Sequence, residues 1–221
     1  MTDCVILYGD HRLPCLHKSA GPHRLATELR NNGYSTQLID ISGLRSTHPL
    51  IEKMINKFVD RDTLWIGISG TFMFHVFNTQ FKKFKSIEET NEQASPELLH
   101  FMDLCRKRNP SIKFLYGGSK KYQLDSLGWY TFVGYADREI VEFSKWCRNG
   151  NYKPKLNRLG RIITCTEYTE FPSCDIQYQS NDAIIPGECL PLEIARGCIF
   201  KCDFCAFPMN GKKKGEWVKR P

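Results

Sequence analysis

Short apolar runs alternating with helical patterns fill residues 1–150, and this alternation leaves few folds open to the chain. Cys4-Val5-Ile6-Leu7-Tyr8 is apolar throughout, as a strand covered on both faces requires. Gly21-Pro22 opens a helix with Leu25 and Leu29 on one face and Gly33 as its stop. Thr36 to Ile41 reads as a second strand. Leu50, Ile51, Met54, Ile55 and Phe58 have the spacing of one buried helical face, and Thr63 to Ser69 follows as a third strand. Ser95-Pro96-Glu97 begins a helix, with a capping serine and a proline at the first helical position, and Leu98, Met102 and Cys105 continue it. Ile112 to Tyr116 is a fourth strand, ended by Gly117-Gly118, and Trp129 to Val133 is a fifth. Asp137 begins a last helix carrying Ile140, Phe143 and Cys147. The pattern predicts an α/β fold, a doubly wound Rossmann-like parallel sheet with helices on both faces. Ligands bind such sheets at the carboxyl ends of the strands. That rule nominates the loops Gly9-Asp10-His11, Ser69-Gly70-Thr71, Gly117-Gly118 and Gly134-Tyr135-Ala136.

The rest of the chain breaks this rhythm. Thr71 to Ala94 is aromatic, then basic, then acidic and polar, and reads as an insertion or lid. Residues 151–188 hold prolines, glycines and short strand-like pieces such as Arg161 to Cys165, and read as an interdomain connection. Leu190 to Ala195 reads as a new strand that runs into a cysteine-rich loop, so residues 189–221 form a separate unit.

The 221 residues include enough apolar side chains for a buried core. The net charge of +7 is concentrated in runs such as Lys82-Lys83, Arg106-Lys107-Arg108 and Lys212-Lys213-Lys214. A solvated face accounts for such runs, and nucleic-acid contact is not supported. The apolar run at Cys4 to Tyr8 is too short for a signal peptide, and no stretch approaches the ~20 apolar residues of a membrane helix. A cytoplasmic location follows as an expectation. In that reducing setting ten cysteines point to metal or redox chemistry rather than disulfides. Cys4, Cys105 and Cys147 lie in apolar patterns and read as core.

The chemistry is concentrated in Glu193-Ile194-Ala195-Arg196-Gly197-Cys198-Ile199-Phe200-Lys201-Cys202-Asp203-Phe204-Cys205. Cys198, Cys202 and Cys205 follow the pattern C-x3-C-x2-C. Thiolates hold iron–sulfur clusters, and three from one loop leave one iron of a cubane without a local ligand. Arg196 and Lys201 would offset the negative charge of such a cluster. Structural zinc is the alternative on spacing alone, with Cys165, Cys174 or Cys189 as a fourth ligand. Thiols that bind no metal are the third reading.

This segment resembles the signature of the radical S-adenosylmethionine superfamily. The form E-x-x-R-G-C-x-x-x-C-x-F-C is similar to the branch with an amino-terminal cobalamin-binding-type domain. The resemblance implies a [4Fe–4S] cluster on Cys198, Cys202 and Cys205, with S-adenosylmethionine chelating the fourth iron and Phe204 beside its adenine. It also implies reductive cleavage to methionine and a 5′-deoxyadenosyl radical, fed by a flavodoxin- or ferredoxin-type electron donor. Gly21 to Ala26 with Asp40 resembles the first helix and second strand of the cobalamin fold. Ser69, Thr71, Gly117 and Gly118 match its serine motif and paired glycines, so cobalamin is an implied cofactor and methyl or similar group transfer an implied chemistry. The histidine-on-cobalt motif is missing, because Asp10 and His11 are adjacent and Pro14 stands where glycine would be expected. Only 16 residues follow Cys205, where the family has most of a β/α barrel, which leads to the expectation of a chain cut short and of a separate chain carrying the rest. Gly215 to Pro221 reads as the lead-in to the next helix. A non-catalytic cobalamin-type module and a zinc-stabilised interaction protein stand as the other function classes. The substrate is not legible.

Overall fold

The computed structural model describes residues 2–9, 18–41, 48–69, 96–117, 127–150, 162–165, 175–193, 195–197 and 217–219. Among them, β1 (Cys4–Tyr8), β2 (Thr36–Asp40), β3 (Trp65–Ser69), β4 (Lys113–Gly117), β5 (Tyr130–Val133) and β6 (Ile162–Thr164) form one sheet in the order β2-β1-β3-β4-β5-β6. Every pairing in it is parallel, with Cys4 opposite both Thr36 and Trp65. Among the described residues four helices cover it: α1 (Ala20–Asn31), α2 (His48–Phe58), α3 (Pro96–Arg108) and α4 (Asp137–Asn149). The protein is thus a doubly wound Rossmann-like α/β fold.

The apolar strand runs divide their side chains between two cores, because successive side chains of a strand point to opposite faces. Val5, Leu7, Ile66, Ile68, Phe114 and Tyr116 meet α2 and α3 through Ile51, Ile55, Phe101 and Met102. Cys4, Ile6, Tyr8, Trp65, Leu115 and Phe132 meet α1 and α4 through Ala26, Leu29, Ile140 and Phe143. This second layer positions the site. Gly33, at φ +78, turns the chain out of α1 in the left-handed region that glycine occupies without steric cost, as its place in the sequence predicts.

Three segments differ from the sequence expectations. Ile162–Thr164, expected within a connection, is the edge strand of the sheet, with Thr131 opposite Ile162. The piece is strand-like in sequence, but its pairing with β5 leaves no local mark. Residues 175–193 lie along α1 and β2 as a strap around the 3-10 turn Ser180–Asp182. The strand expected at Leu190 to Ala195 is instead β7 (Ala195–Gly197). Pro191 has no N–H for a ladder, and Leu192 is 80% exposed. Trp217–Lys219, expected to lead into a helix, is β8 and pairs antiparallel with β7. An aromatic and a β-branched residue in succession favour the extended form. Among the described residues no helix is long and apolar enough to cross a membrane.

Candidate functional site

A cavity of about 520 Å³ opens between the sheet and the α1–α4 layer. Its floor is the apolar face of the strands, with Ile6, Trp65, Gly67, Leu115 and Phe132. Its rim is the carboxyl edge of the sheet: Ser69 at the end of β3, Gly117 at the end of β4 and Gly134 after β5. The first turns of α1 and α4 close two sides, through Ser19 to Pro22 and through Ala136 and Asp137. Helix amino termini present unpaired N–H groups and partial positive charge, so this rim suits an anionic group. Gly134 adopts φ +105 in the turn from β5 to α4, a conformation a residue with a side chain rarely takes.

Two residues set the depth of the floor. Trp65 is 1% exposed, and its indole Nε1 donates to Ser144 Oγ at 2.9 Å, which donates in turn to the carbonyl of Ile140 at 2.8 Å. The ring is thereby pinned to α4. Gly67, two residues on and on the same face, leaves only tight space for a side chain: a Cβ there would lie 3.2 Å from Trp65 Cζ3, closer than ordinary contact, and 3.6 Å from Leu115 Cβ. The glycine cradles the cavity, which a side chain at that position would enter.

One wall is charged. Arg24 of α1 is 3% exposed and faces three carboxylates: Glu28 at 2.7 Å, Asp137 of α4 at 3.2 Å and Glu193 of the strap at 3.6 Å. It also donates to the carbonyl of Asp175 at 3.0 Å. A buried guanidinium requires such a set, because its several donors lose water together. Lys18 repeats the device, with Asp40 at 3.2 Å and Glu188 at 3.0 Å. Arg30 does so with both carboxylate oxygens of Asp182. Beside them His23 is fully buried, shares a hydrogen bond of 3.0 Å with Tyr8 Oη and packs its ring 4.9 Å from that of Tyr178. Burial lowers its pKa to about 4, against the opposing pull of Asp182, so the ring is neutral near pH 7. Three cations from α1 and the residues just before it thus hold the strap that leads to the cysteine segment.

Of the residues expected from sequence, Ser69 and Gly117 stand together on the cavity rim. Thr71, Gly118, Phe204, Cys198, Cys202 and Cys205 lie outside the described residues, as do Asp10, His11 and the Thr71 to Ala94 insertion. Among the described residues no group of three His, Cys, Asp or Glu could hold a metal ion. Cys4, Cys105, Cys147, Cys165 and Cys189 are free thiols. Burial pushes Cys105 and Cys147 up to about 12 and raises Cys4 and Cys165 as well, which keeps them protonated and poor ligands. Cys165 follows β6 beside Gly134, whereas exposed Cys189 sits in the strap, its carbonyl accepting from the amide of Lys18. Gly67, Trp65 and Arg24 were not singled out from sequence. A mid-strand glycine was their one local signal.

No family model matches the chain, and no curated protein matches it in sequence. Solved structures do resemble it. The radical S-adenosylmethionine methyltransferase TsrM from Kitasatospora setae, with tryptophan substrate and a SAM analogue (aza-SAM) bound, superposes with a TM-score of 0.63 at 13% identity. That match covers 100% of this chain and 43% of TsrM. The same enzyme with cobalamin and a [4Fe–4S] cluster bound gives a TM-score of 0.60 at 12% identity, over 100% of this chain and 44% of the other. The chain therefore spans less than half the length of the proteins it resembles. At such identities the likeness shows a shared fold.

Proposed function

We propose that this chain is the cobalamin-binding-type domain and cysteine loop of a radical S-adenosylmethionine enzyme. One juxtaposition carries the reading: Glu193, five residues ahead of Cys198 in sequence, is held against the cavity wall by Arg24. The domain resembles that of TsrM, a methyltransferase whose structures hold cobalamin, a [4Fe–4S] cluster and a SAM analogue.

Cys198, Cys202 and Cys205 would hold three irons of a [4Fe–4S] cluster, with S-adenosylmethionine on the fourth and Phe204 beside its adenine. Bound together, these groups supply reductive carbon–sulfur cleavage, chemistry that no side chain can perform. The cavity fits the nucleotide tail of a cobalamin. Its floor of Ile6, Leu115 and Phe132 excludes water, and Gly67 leaves room that a Cβ would fill. Ser69 and Gly117 allow close approach at the rim, with Thr71 and Gly118 beside them in sequence, while the first turns of α1 and α4 would face the phosphodiester. Transfer of a methyl or similar group is the reaction class this pairing of cofactors serves. A flavodoxin- or ferredoxin-type protein would deliver the electron. The free thiols suit a reducing cytoplasm.

Anaerobic reconstitution with iron and sulfide tests this. The expected result is a brown protein with about four irons per chain, whose visible absorbance dithionite bleaches. Cys202→Ala abolishes the iron and leaves the thermal midpoint of the sheet domain in place. Stoichiometric zinc in place of iron, or no metal at all, overturns the reading. Retention of cobalamin without iron reduces the chain to a binding module.

A further inference from the structure

We infer that Arg24, acting through Glu193, positions the strand that enters the three-cysteine segment against the wall of the cavity, and that cavity occupancy tightens this contact. The second clause rests on the cofactor reading above; the first stands on the ion-pair geometry alone.

The three carboxylates around Arg24 are not equivalent. Glu28 lies one helical turn along the same helix, at 2.7 Å, and Asp137 belongs to the first turn of α4, at 3.2 Å. Both sit in the packed α1–α4 layer, with side chains 8% and 6% exposed. Glu193 comes from the strap, has the longest contact at 3.6 Å and is the most exposed of the three at 16%. It also shares the cation with two like charges, whose repulsion offsets part of its attraction to Arg24. A contact balanced in this way can open without stranding a buried charge, because Arg24 keeps its two inner partners. Glu193 is therefore the releasable member.

The place of Glu193 gives the release a consequence. Pro191 and Glu193 both line the cavity, and β7 begins two residues later at Ala195. Behind them the strap is well anchored. The Lys18 amide donates to the Cys189 carbonyl at 3.0 Å, Tyr178 Oη donates to the Pro191 carbonyl at 2.8 Å, and Lys18 Nζ pairs with Glu188 at 3.0 Å. Between Pro191 and β7, Glu193 ties the chain to the domain through its pair with Arg24. Leu192, between the two cavity-lining residues, points to solvent at 80% exposure and adds little hold by packing. A ligand that fills the cavity touches the side of the strap that this pair closes. It also removes water around the pair, which strengthens the attraction.

Hydrogen–deuterium exchange on the full chain tests both clauses, with hydroxocobalamin as the probe. Glu193→Gln should leave exchange in β1 and β4 unchanged and speed the amides of residues 192–197 about fivefold, the factor that corresponds to about 1 kcal/mol for a partly exposed pair. Arg24→Lys, which keeps the charge but lacks the Nε that faces Glu193, should speed exchange at 192–197 as well. Hydroxocobalamin should slow exchange at 192–197 in the wild type and not in Glu193→Gln. Unchanged exchange at 192–197 in Glu193→Gln, or an equal rise throughout the sheet, overturns the positioning role. Hydroxocobalamin that binds, by its absorbance, without slowing 192–197 overturns the occupancy clause alone. Failure of the wild type to bind hydroxocobalamin overturns the cobalamin reading and the occupancy clause together, while the ligand-free comparison still decides the positioning role.

Discussion

Gly67→Ala separates the cavity from the fold that encloses it. The backbone at residue 67 is ordinary strand, so alanine removes the entropic penalty of a glycine in a strand, roughly 0.5–1 kcal/mol. Against that gain, the new Cβ meets Trp65 Cζ3 at 3.2 Å, tighter than ordinary van der Waals contact, and Leu115 Cβ at 3.6 Å. The indole cannot swing aside freely, because its Nε1 is bonded to Ser144 at 2.9 Å. A few tenths of an ångström of forced displacement costs an energy similar to the gain. Folding stability should therefore stay within about 1 kcal/mol of wild type, a shift of at most a few degrees in thermal midpoint for a chain of this size. A bound ligand meets the same methyl with no water to displace instead. Overpacking a closed site costs about 1–3 kcal/mol, which corresponds to an affinity loss of about 5- to 150-fold. Hydroxocobalamin titrated into both proteins and followed by absorbance, with thermal melts in parallel, measures the two effects separately. Equal affinity in wild type and Gly67→Ala would refute the claim that the ligand reaches the cavity floor. A large drop in thermal midpoint would refute the claim that the glycine serves the cavity rather than the sheet.

Further outcomes follow from the same geometry. His23 has a pKa of about 4 when folded, against an ordinary value of 6.5. As pH falls through 6.5 the unfolded chain takes up a proton that the folded chain refuses, so stability is level above that value and declines toward pH 4, by roughly 3 kcal/mol in all. Urea midpoints between pH 7.5 and 4.5 should slope less in His23→Gln than in wild type, and equal slopes would remove His23 from the account. Phe143 is fully buried among Tyr130, Phe132 and Trp146, with ring centroids 5.0, 5.5 and 5.4 Å away. Phe143→Ala should cost about 3–5 kcal/mol in denaturant unfolding, and a loss under about 1 kcal/mol would contradict the packing of α4 on the sheet.

Most of the parallel sheet was legible because its signal is local. Cys4 to Tyr8 is apolar at every position, and only a strand with both faces covered needs that. Asp137, Ile140 and Phe143 announce α4 by spacing, and Gly33 marks the end of α1 by conformation. The rim residues Ser69 and Gly117 were found by the rule that ligands sit beyond the carboxyl ends of such strands. The resemblance of the cysteine segment to a family signature rested on a run of consecutive residues, which no fold is needed to recognise. Arg161 to Cys165 read as strand-like, but the place of Ile162–Thr164 at the sheet edge and the hairpin of β7 with β8 were not legible, because their partners lie elsewhere in the chain.

What residue types and their spacing determined by themselves was therefore the class of fold. Tertiary structure decided which side chains share a space. Trp65 and Gly67 become a cavity floor only when Leu115 of a neighbouring strand and Ser144 of α4 close around them. Arg30 meets Asp182 across 152 positions of sequence, and Arg24 meets Glu193 across a similar distance. Charge pairing has no period along a chain. It is set by which surfaces the hydrophobic layers bring into contact, and that is known only once the layers have packed.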